Sequence, residues 1–300
     1  MEGSTMQSAG RAEFALALMA LVWGASFVMV KQALDDVSTL LYMALRFGLA
    51  ATVLAAAFRR RLREPGVCCR AEYMGGAVAG LLLFAGYFFQ TSGLRLTTPS
   101  KSAFLTGLYI VLVPFLVTVV YRRAPRLPEV AGILIAGAGM GFMTLDNWSL
   151  QMNWGDSLTL LCAVAFAGHI LAVGHFSPRA SFERFTVIQL AVVGAAAGST
   201  FWWFEVPRLV WSTALLTALL VTALLATALA FAVQTWAQQR TTPTRTALIF
   251  ALEPVFAGLT SFAVLGEIMT ASAFFGAGLI LAGILMVELK PRTSVPHPLR

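Results

Sequence analysis

Apolar positions along this chain gather into ten long runs, at about 14–34, 39–58, 73–94, 100–121, 129–145, 155–174, 185–204, 213–238, 243–265 and 270–288. A helix rises about 1.5 Å per residue, so roughly 20 apolar residues cross the 30 Å or so of bilayer hydrocarbon, and each run is read as one spanning helix. The connections are short, and most carry Pro, Gly or charges, which leaves no room for a soluble domain. The N-terminal arm lacks the n-region, h-region and cleavage site of a removed signal, so the first run is read as a retained span.

The runs repeat. Gln90-Thr91 with Thr97-Thr98-Pro99 recurs, 144 residues later, as Gln234-Thr235 with Thr241-Thr242-Pro243. The same offset matches Ala103 with Ala247 and Leu108 with Leu252, and pairs Tyr87 with Phe231, Ser100 with Thr244 and Lys101 with Arg245. Five spans per copy is an odd number, so the second copy must enter the bilayer upside down relative to the first. The expected fold is an all-α membrane protein of ten transmembrane helices. They form two inverted five-helix repeats, 14–146 and 154–289, around a central cavity, with a cytoplasmic tail at 290–300. Transporters are built on inverted repeats of this kind.

Composition agrees with a lipid environment: 58% of residues are hydrophobic, 12% are charged and mean hydropathy is +0.79, whereas soluble domains carry about 25% charged residues. A net charge of +7 and a pI near 9.8 would suggest nucleic acid in a soluble protein. Here the bases sort by side instead. Alternating the spans from an interior N-terminus puts Arg59, Arg60, Arg61, Arg63, Arg70, Arg122, Arg123 and Arg126 inside, followed by Arg179, Arg184, Arg240, Arg245, Lys290, Arg292 and Arg300. The outer side receives Asp35, Asp36, Asp146, Asp156, Glu205 and Glu267, with few bases beyond Lys31, Arg95, Lys101 and Arg208. Both termini are therefore expected in the cytoplasm, in a multi-pass protein of the cytoplasmic membrane with no nucleic-acid partner. Trp148, Trp154, Trp202, Trp203 and Trp211 fall at the outer interface, where an indole keeps its ring in lipid and its N–H in water.

Cys68 and Cys69 are adjacent in a loop and Cys162 lies within a span, so they suggest neither a disulfide framework nor metal ligands. No HExxH, phosphate-cradling GxxxxGK[ST] or zinc-type Cys/His pattern occurs. No metal, cofactor or enzymatic role is expected. An intramembrane enzyme acting on lipid or peptide would need an activated nucleophile or a pair of carboxylates in lipid, and no such pair is visible. A scaffold without transport is the other alternative.

Several short motifs in a fixed order carry a family resemblance. They are Trp23-Gly24 with Lys31 in the first span, Leu45-Arg46-Phe47 in the second and Ala103-Phe104-Leu105-Thr106 in the fourth. Gly155-Asp156 opens the sixth, Leu252-Glu253-Pro254 lies in the ninth and Leu265-Gly266-Glu267 closes it. Over nearly its whole length the chain resembles EamA-type members of the drug/metabolite transporter superfamily. That resemblance implies ten helices in two inverted bundles, a central cavity, and export or exchange of small metabolites, amino acids or drugs. Where the second copy usually carries a Trp in its first helix, this chain has Phe166-Ala167-Gly168-His169.

Polar residues inside spans are the candidate machinery, because a polar side chain facing lipid is costly and tends to face the bundle or a wet cavity. Thr227, Phe231, Gln234 and Gln238 share one helical face of the eighth span, and Tyr87, Gln90 and Leu94 repeat it in the third. The two glutamines could meet across one cavity or simply bond neighbouring helices. Glu253 is the one carboxylate near mid-span, able to take a proton from one side and release it to the other, or to satisfy groups on a neighbour. Pro254 and Pro114 each remove an N–H and predict a kink, by freeing the carbonyls of Phe250 and Ile110. His169 can donate to a substrate or serve in packing. Trp23 and Phe27 could stack on a substrate, with Lys31 at the outer mouth or snorkelling. Arg46 lies too deep for a loop charge and should pair with carbonyls or a carboxylate, unless it only reaches the outer surface. Asp156 can cap the sixth helix, and it and Glu267 are read as structural.

The expected substrate site is therefore Trp23, Tyr87, Gln90, His169, Phe231 and Gln234, with Glu253 as the proton-coupling candidate. Its ligand would be a small amphiphilic molecule with an apolar or aromatic body and a few hydrogen-bonding groups. Gly76 and Gly80, Gly137 and Gly141, and the 276–283 region give close-packing faces. On the fifth and tenth helices these could meet within one chain or form a homodimer. Membrane lipid is the remaining partner.

Overall fold

The computed structural model describes residues 2–64, 70–122, 124–144, 152–265 and 270–288. Cys68, Cys69, Arg123, Asp146, Trp148, Gly266, Glu267, Lys290, Arg292 and Arg300, named above, lie outside the described residues. The first half contains α1 (Glu2–Ala33), α2 (Thr39–Ala57), the short α3 (Arg59–Arg63), α4 (Gly75–Leu94), α5 (Pro99–Gly107), α6 (Tyr109–Tyr121) and α7 (Leu127–Thr144). The second contains α8 (Trp154–Phe176), α9 (Phe182–Phe204), α10 (Thr213–Ala223), α11 (Ala230–Gln238), α12 (Pro243–Phe250), α13 (Glu253–Leu265) and α14 (Ala271–Glu288). A π-helical turn, Arg70–Met74, leads into α4, and another, Leu224–Leu229, joins α10 to α11.

Seven helical segments are long and apolar enough to cross a membrane: Gly10–Ala33, Thr39–Ala57, Arg70–Leu94, Lys101–Tyr121, Trp154–Arg179, Phe182–Phe204 and Thr213–Gln238. Leu127–Met143 and Ala271–Val287 are apolar but shorter. The ninth run is divided into α12 and α13, with a turn at Ala251–Leu252. Outward-facing Leu81, Phe115, Val119, Val164, Leu220 and Phe274 are exposed, an arrangement stable only if lipid covers them. Trp154, Trp202, Trp203 and Trp211 are exposed too.

The halves interleave. α4 packs on α8 and α9, α2 on α9, α1 on α13, and α7 on α14. The fifth and tenth spans pack on each other within this one chain, through Gly132 and Gly139 rather than the expected Gly137, which meets nothing within 4 Å: a Cβ on Gly139 would lie 2.5 Å from the carbonyl oxygen of Gly276, and one on Gly132 2.7 Å from that of Gly283. Only a residue without a side chain allows backbones this close.

The two prolines act differently from the kinks expected of them. Pro254 is the second residue of α13, where a helix has no use for the missing N–H, and the chain breaks just ahead of it. Pro114 stays inside a continuous α6, and the break in the fourth run falls earlier, at Leu108, whose N–H reaches only three residues back to Leu105. Leu108 and Leu252 are repeat mates, so both copies break at the same place.

Candidate functional site

A cavity lies between the halves, with about 60 Å³ open to the centres of water molecules. That is room for roughly four to six waters. Trp23, Tyr87, Gln90, His169, Phe231, Gln234 and Glu253, chosen from the sequence, all line it. So do Arg46, Thr106, Tyr109, Phe166 and Phe250, which the sequence reading did not assign to a site. For Tyr109 the signal existed, since it is the repeat mate of Glu253.

With Val30, Leu83, Leu94 and Ile170, aromatic rings form the apolar part of the wall. Phe231 stands at their centre, 5.4 Å from the ring of Trp23, 6.1 Å from Tyr87 and 5.8 Å from His169. Phe166 packs edge-on against Tyr87 at 5.2 Å. The indole N–H of Trp23 is already occupied: it donates to the Ala226 carbonyl at 2.7 Å. Ala226 lies in the π-turn Leu224–Leu229.

Arg46 uses the same carbonyl. Its Nη2 donates to Ala226 O at 3.3 Å and to Tyr87 Oη at 3.4 Å, and its Nε donates to Thr227 Oγ1 at 2.7 Å. The guanidinium also lies over the Tyr87 ring, 4.9 Å from the centroid. Its expected partners were carbonyls or a carboxylate; it takes a carbonyl and two hydroxyls, and among the described residues Nη1 makes no hydrogen bond.

Two relays fix the orientation of the polar groups. The Phe231 carbonyl can only accept, so the Thr235 hydroxyl donates to it, at 2.8 Å, and itself accepts from Gln189 Nε2 at 3.1 Å. Gln189 Oε1 then faces His169 Nε2 at 2.9 Å, which puts the ring proton on Nε2. In the second relay the Ile170 carbonyl accepts from Gln238 Nε2 at 2.9 Å, so Gln238 Oε1 accepts from Gln234 Nε2, also at 2.9 Å. Gln234 Oε1 is left buried with no partner. Gln90, its repeat mate, donates instead to Thr106 Oγ1 at 3.2 Å.

Glu253 opens α13 immediately after the break, 7% exposed, and Oε2 accepts from Tyr109 Oη at 3.0 Å. Tyr109 opens α6 immediately after the other break. The two repeat mates thus bond directly to each other.

Among the described residues, three ion pairs tie the halves together beyond the cavity, one of them Arg184 Nη1 with Glu72 Oε2 at 3.4 Å; the other two involve repeat mates. Lys101 Nζ meets Asp156 Oδ2 at 2.5 Å, and Thr97 Oγ1 donates to Asp156 Oδ1 at 2.7 Å. Arg245 Nη1 meets Glu13 Oε1 at 3.0 Å, and Thr241 Oγ1 donates to the same oxygen at 3.3 Å. Thr97 and Lys101 are the repeat mates of Thr241 and Arg245. Asp156, expected to cap α8, does so from its third position, in a capping box whose N-cap is Asn153. Lys31 neither lines the cavity nor snorkels freely; Nζ donates to the carbonyls of Leu94, Arg95 and Thr97, closing the C-terminus of α4.

The model of the EamA-like transporter family matches residues 10–145 and again 153–289. The chain belongs to this family. As an EamA-like protein it is a two-repeat, multi-pass membrane transporter within the drug/metabolite transporter superfamily. One Archaeoglobus fulgidus protein, named only as an uncharacterized transporter, is 34% identical over 93% of this chain and 86% of its own. Another of that name from the same organism is 24% identical over 92% and 96%. A solved crystal structure aligns with a TM-score of 0.76 at 20% identity over 93% of this chain and 97% of that one, a likeness of fold. The EamA motifs meet in space here: Gly24, beside Trp23, lets α1 approach the break, since a Cβ there would lie 2.7 Å from the Glu253 carbonyl oxygen.

Proposed function

We propose that this EamA-like protein is a secondary transporter of the cytoplasmic membrane, moving a small amphiphilic solute by rocking two inverted five-helix repeats, 14–146 and 154–289, about the central cavity. Ten spans, both termini in the cytoplasm and export complete this reading. The observation that carries it is the duplicated ion pair. Lys101 and Asp156 stand in different repeats, and Arg245 of the second repeat meets Glu13 of α1, just ahead of the first, so rocking the repeats would pull on both contacts.

The two pairs lie at opposite ends of α8, which supports the inversion. Asp156 is at its N-terminus, while Pro243, which starts α12 two residues before Arg245, abuts Gly174 near its C-terminus; a Cβ on Gly174 would be 2.6 Å from Pro243 Cγ. The stretch from Gly155 to Gly174 is about 28 Å long at the helical rise, close to the hydrocarbon thickness. Equivalent elements at opposite faces are what an upside-down copy produces, and alternating access needs one closure at each face.

A homodimer along the fifth and tenth helices would use faces other than Gly132, Gly139, Gly276 and Gly283, which are occupied within the chain; Gly137 and Gly278 meet nothing within 4 Å. Counterflow in proteoliposomes tests the function: internal solute should accelerate uptake of its labelled form. Turnover of lipid or peptide without flux would make the chain an enzyme, and neither would make it a scaffold.

A further inference from the structure

Positive charge at the end of a span orients a helix whether or not the charged segment is ordered. Beyond α2 the arginines are nevertheless built onto a fixed platform. Phe58 closes α2 and α3 follows at once, held from behind by Arg184 on the first turn of α9. Arg184 Nη2 donates to the carbonyls of Leu62 and Glu64, which satisfies the C-terminal end of α3. Its Nη1 pairs with Oε2 of the fully buried Glu72, whose Oε1 accepts from Ser181 N at 3.2 Å. An edge-on contact of Phe58 with Phe182, 5.7 Å between centroids, pins the same junction. A buried carboxylate is costly, and this one holds Arg184, and through it α3, in place.

The exposed side of the platform is unclaimed. Arg59, Arg60 and Arg63 are exposed and make no hydrogen bond or ion pair among the described residues, whereas Arg61 is taken by Glu64 at 3.2 Å. Helical positions 59, 60 and 63 fall within one arc of about 100°, so three guanidinia share a side. On α2, directly before them, Val53, Ala56 and Ala57 form an exposed apolar strip at helical spacing. A cationic head thus stands over an apolar strip, the complement of a phospholipid. Guanidinium forks bind phosphate oxygens in pairs, and each base near a membrane surface strengthens attraction to anionic lipid about fivefold.

We infer that α3 is a docking site for an anionic phospholipid, its headgroup phosphate on Arg59, Arg60 and Arg63 and an acyl chain along Val53, Ala56 and Ala57. A soluble anion would touch the arginines and leave the strip unused. Because α2 of one half packs on α9 of the other, a lipid here bears on a contact between the halves. Its influence on transport rests on the transport reading; the docking needs only a membrane around the chain.

The purified full chain is placed in phosphatidylcholine nanodiscs with a trace of lipid that is photoreactive on its acyl chain, either phosphatidylglycerol or phosphatidylcholine. Peptide mapping should find residues 53–63 labelled more by the phosphatidylglycerol probe, by between about fivefold, the worth of one base, and about 100-fold, the worth of three. Replacing Arg59, Arg60 and Arg63 together by Gln should abolish that preference, and replacing them by Lys should keep it. Glu72→Gln separates a built site from diffuse charge. It removes a negative charge and no arginine, so diffuse attraction would rise, whereas a loosened platform should lower the preference at least about twofold. Equal labelling by the two probes, preference kept in the Gln triple variant or lost in the Lys one would overturn the site. So would unchanged or increased preference in a Glu72→Gln preparation with cooperative thermal unfolding; if that variant does not fold, the triple variants decide. Loss of the preference in millimolar glycerol phosphate would mark a site for soluble anions and overturn it too. None of these outcomes depends on solute counterflow, so the docking site and the transport reading stand or fall separately.

Discussion

Removing one ion pair should bias the cavity toward one face of the membrane. Asp156 is sealed from solvent, while the Lys101 side chain is 23% exposed. In Lys101→Gln the carboxylate keeps the Thr97 hydroxyl and the Asn153 N–H but loses its counter-ion. Breaking a fully buried pair costs about 3–5 kcal/mol and an exposed one about 0–1, so this half-covered pair is worth about 2 kcal/mol, a factor of about 30 in the closed-to-open ratio at that end. Arg245 and Glu13 are 16% and 11% exposed, with both partners reachable by water. Their pair is worth about 1 kcal/mol, or about fivefold. The assay places a cysteine at Ser26, which lines the cavity, in a background without native cysteines, and measures labelling by a membrane-impermeant maleimide added to one side of oriented vesicles. While the open state is a minor one, Lys101→Gln should accelerate labelling from the Lys101 face by up to about 30-fold, and Lys101→Arg should not. Arg245→Gln should accelerate it from the opposite face by about fivefold, and the double variant should lie between the two because the biases oppose. Acceleration from the same face by both substitutions, or no change beyond twofold from either, would refute the closure role.

Three further outcomes are expected. Glu253→Gln should abolish any stimulation of uptake by an imposed pH gradient while leaving counterflow measurable, and retention of the gradient dependence would remove Glu253 as a proton-coupling site. Gly139→Ala should lower stability by about 1–3 kcal/mol through overpacking against the Gly276 carbonyl. Gly137→Ala, which meets nothing within 4 Å, should gain up to about 1 kcal/mol from helix propensity; thermal unfolding in detergent distinguishes the signs. Thr227→Val keeps the shape of the side chain but strips the acceptor from Arg46 Nε. It should cost about 2 kcal/mol in the same measurement, and an unchanged midpoint would show that the Arg46 cluster contributes little to the fold.

Most spans were legible because a segment in lipid must be apolar and helical along its whole length. Their interruptions were not. Leu224–Leu229 reads Leu-Leu-Ala-Thr-Ala-Leu, which α-helical and π-helical turns accept equally, so nothing in composition marked the carbonyl that binds Trp23 and Arg46. The break at Ala251–Leu252 falls just ahead of Glu253-Pro254, whereas the one at Leu108 follows Gly107 and lies six residues before Pro114, so that proline misplaced it. The polar faces of the third and eighth spans did identify cavity residues, since helical spacing and the cost of facing lipid are both local. Lys101 was sorted only as an outer base and Asp156 only as a cap. Their pairing depends on how α5 meets α8, which no local pattern encodes, although the 144-residue match of Lys101 with Arg245 was already a sign that the position matters to both copies.

The bond between Tyr109 and Glu253 joins equivalent positions of the two copies, so in the inverted arrangement proposed above it would straddle the axis that exchanges them. In a dimer of identical halves each residue there would face its own twin: two phenols, or two carboxylates repelling one another. Fusion into one gene lifts that restriction, letting one position become the donor and its counterpart the acceptor. At its very centre the molecule has therefore departed from the equality of its halves, and a titratable group confined to one of them cannot serve both faces of the membrane alike.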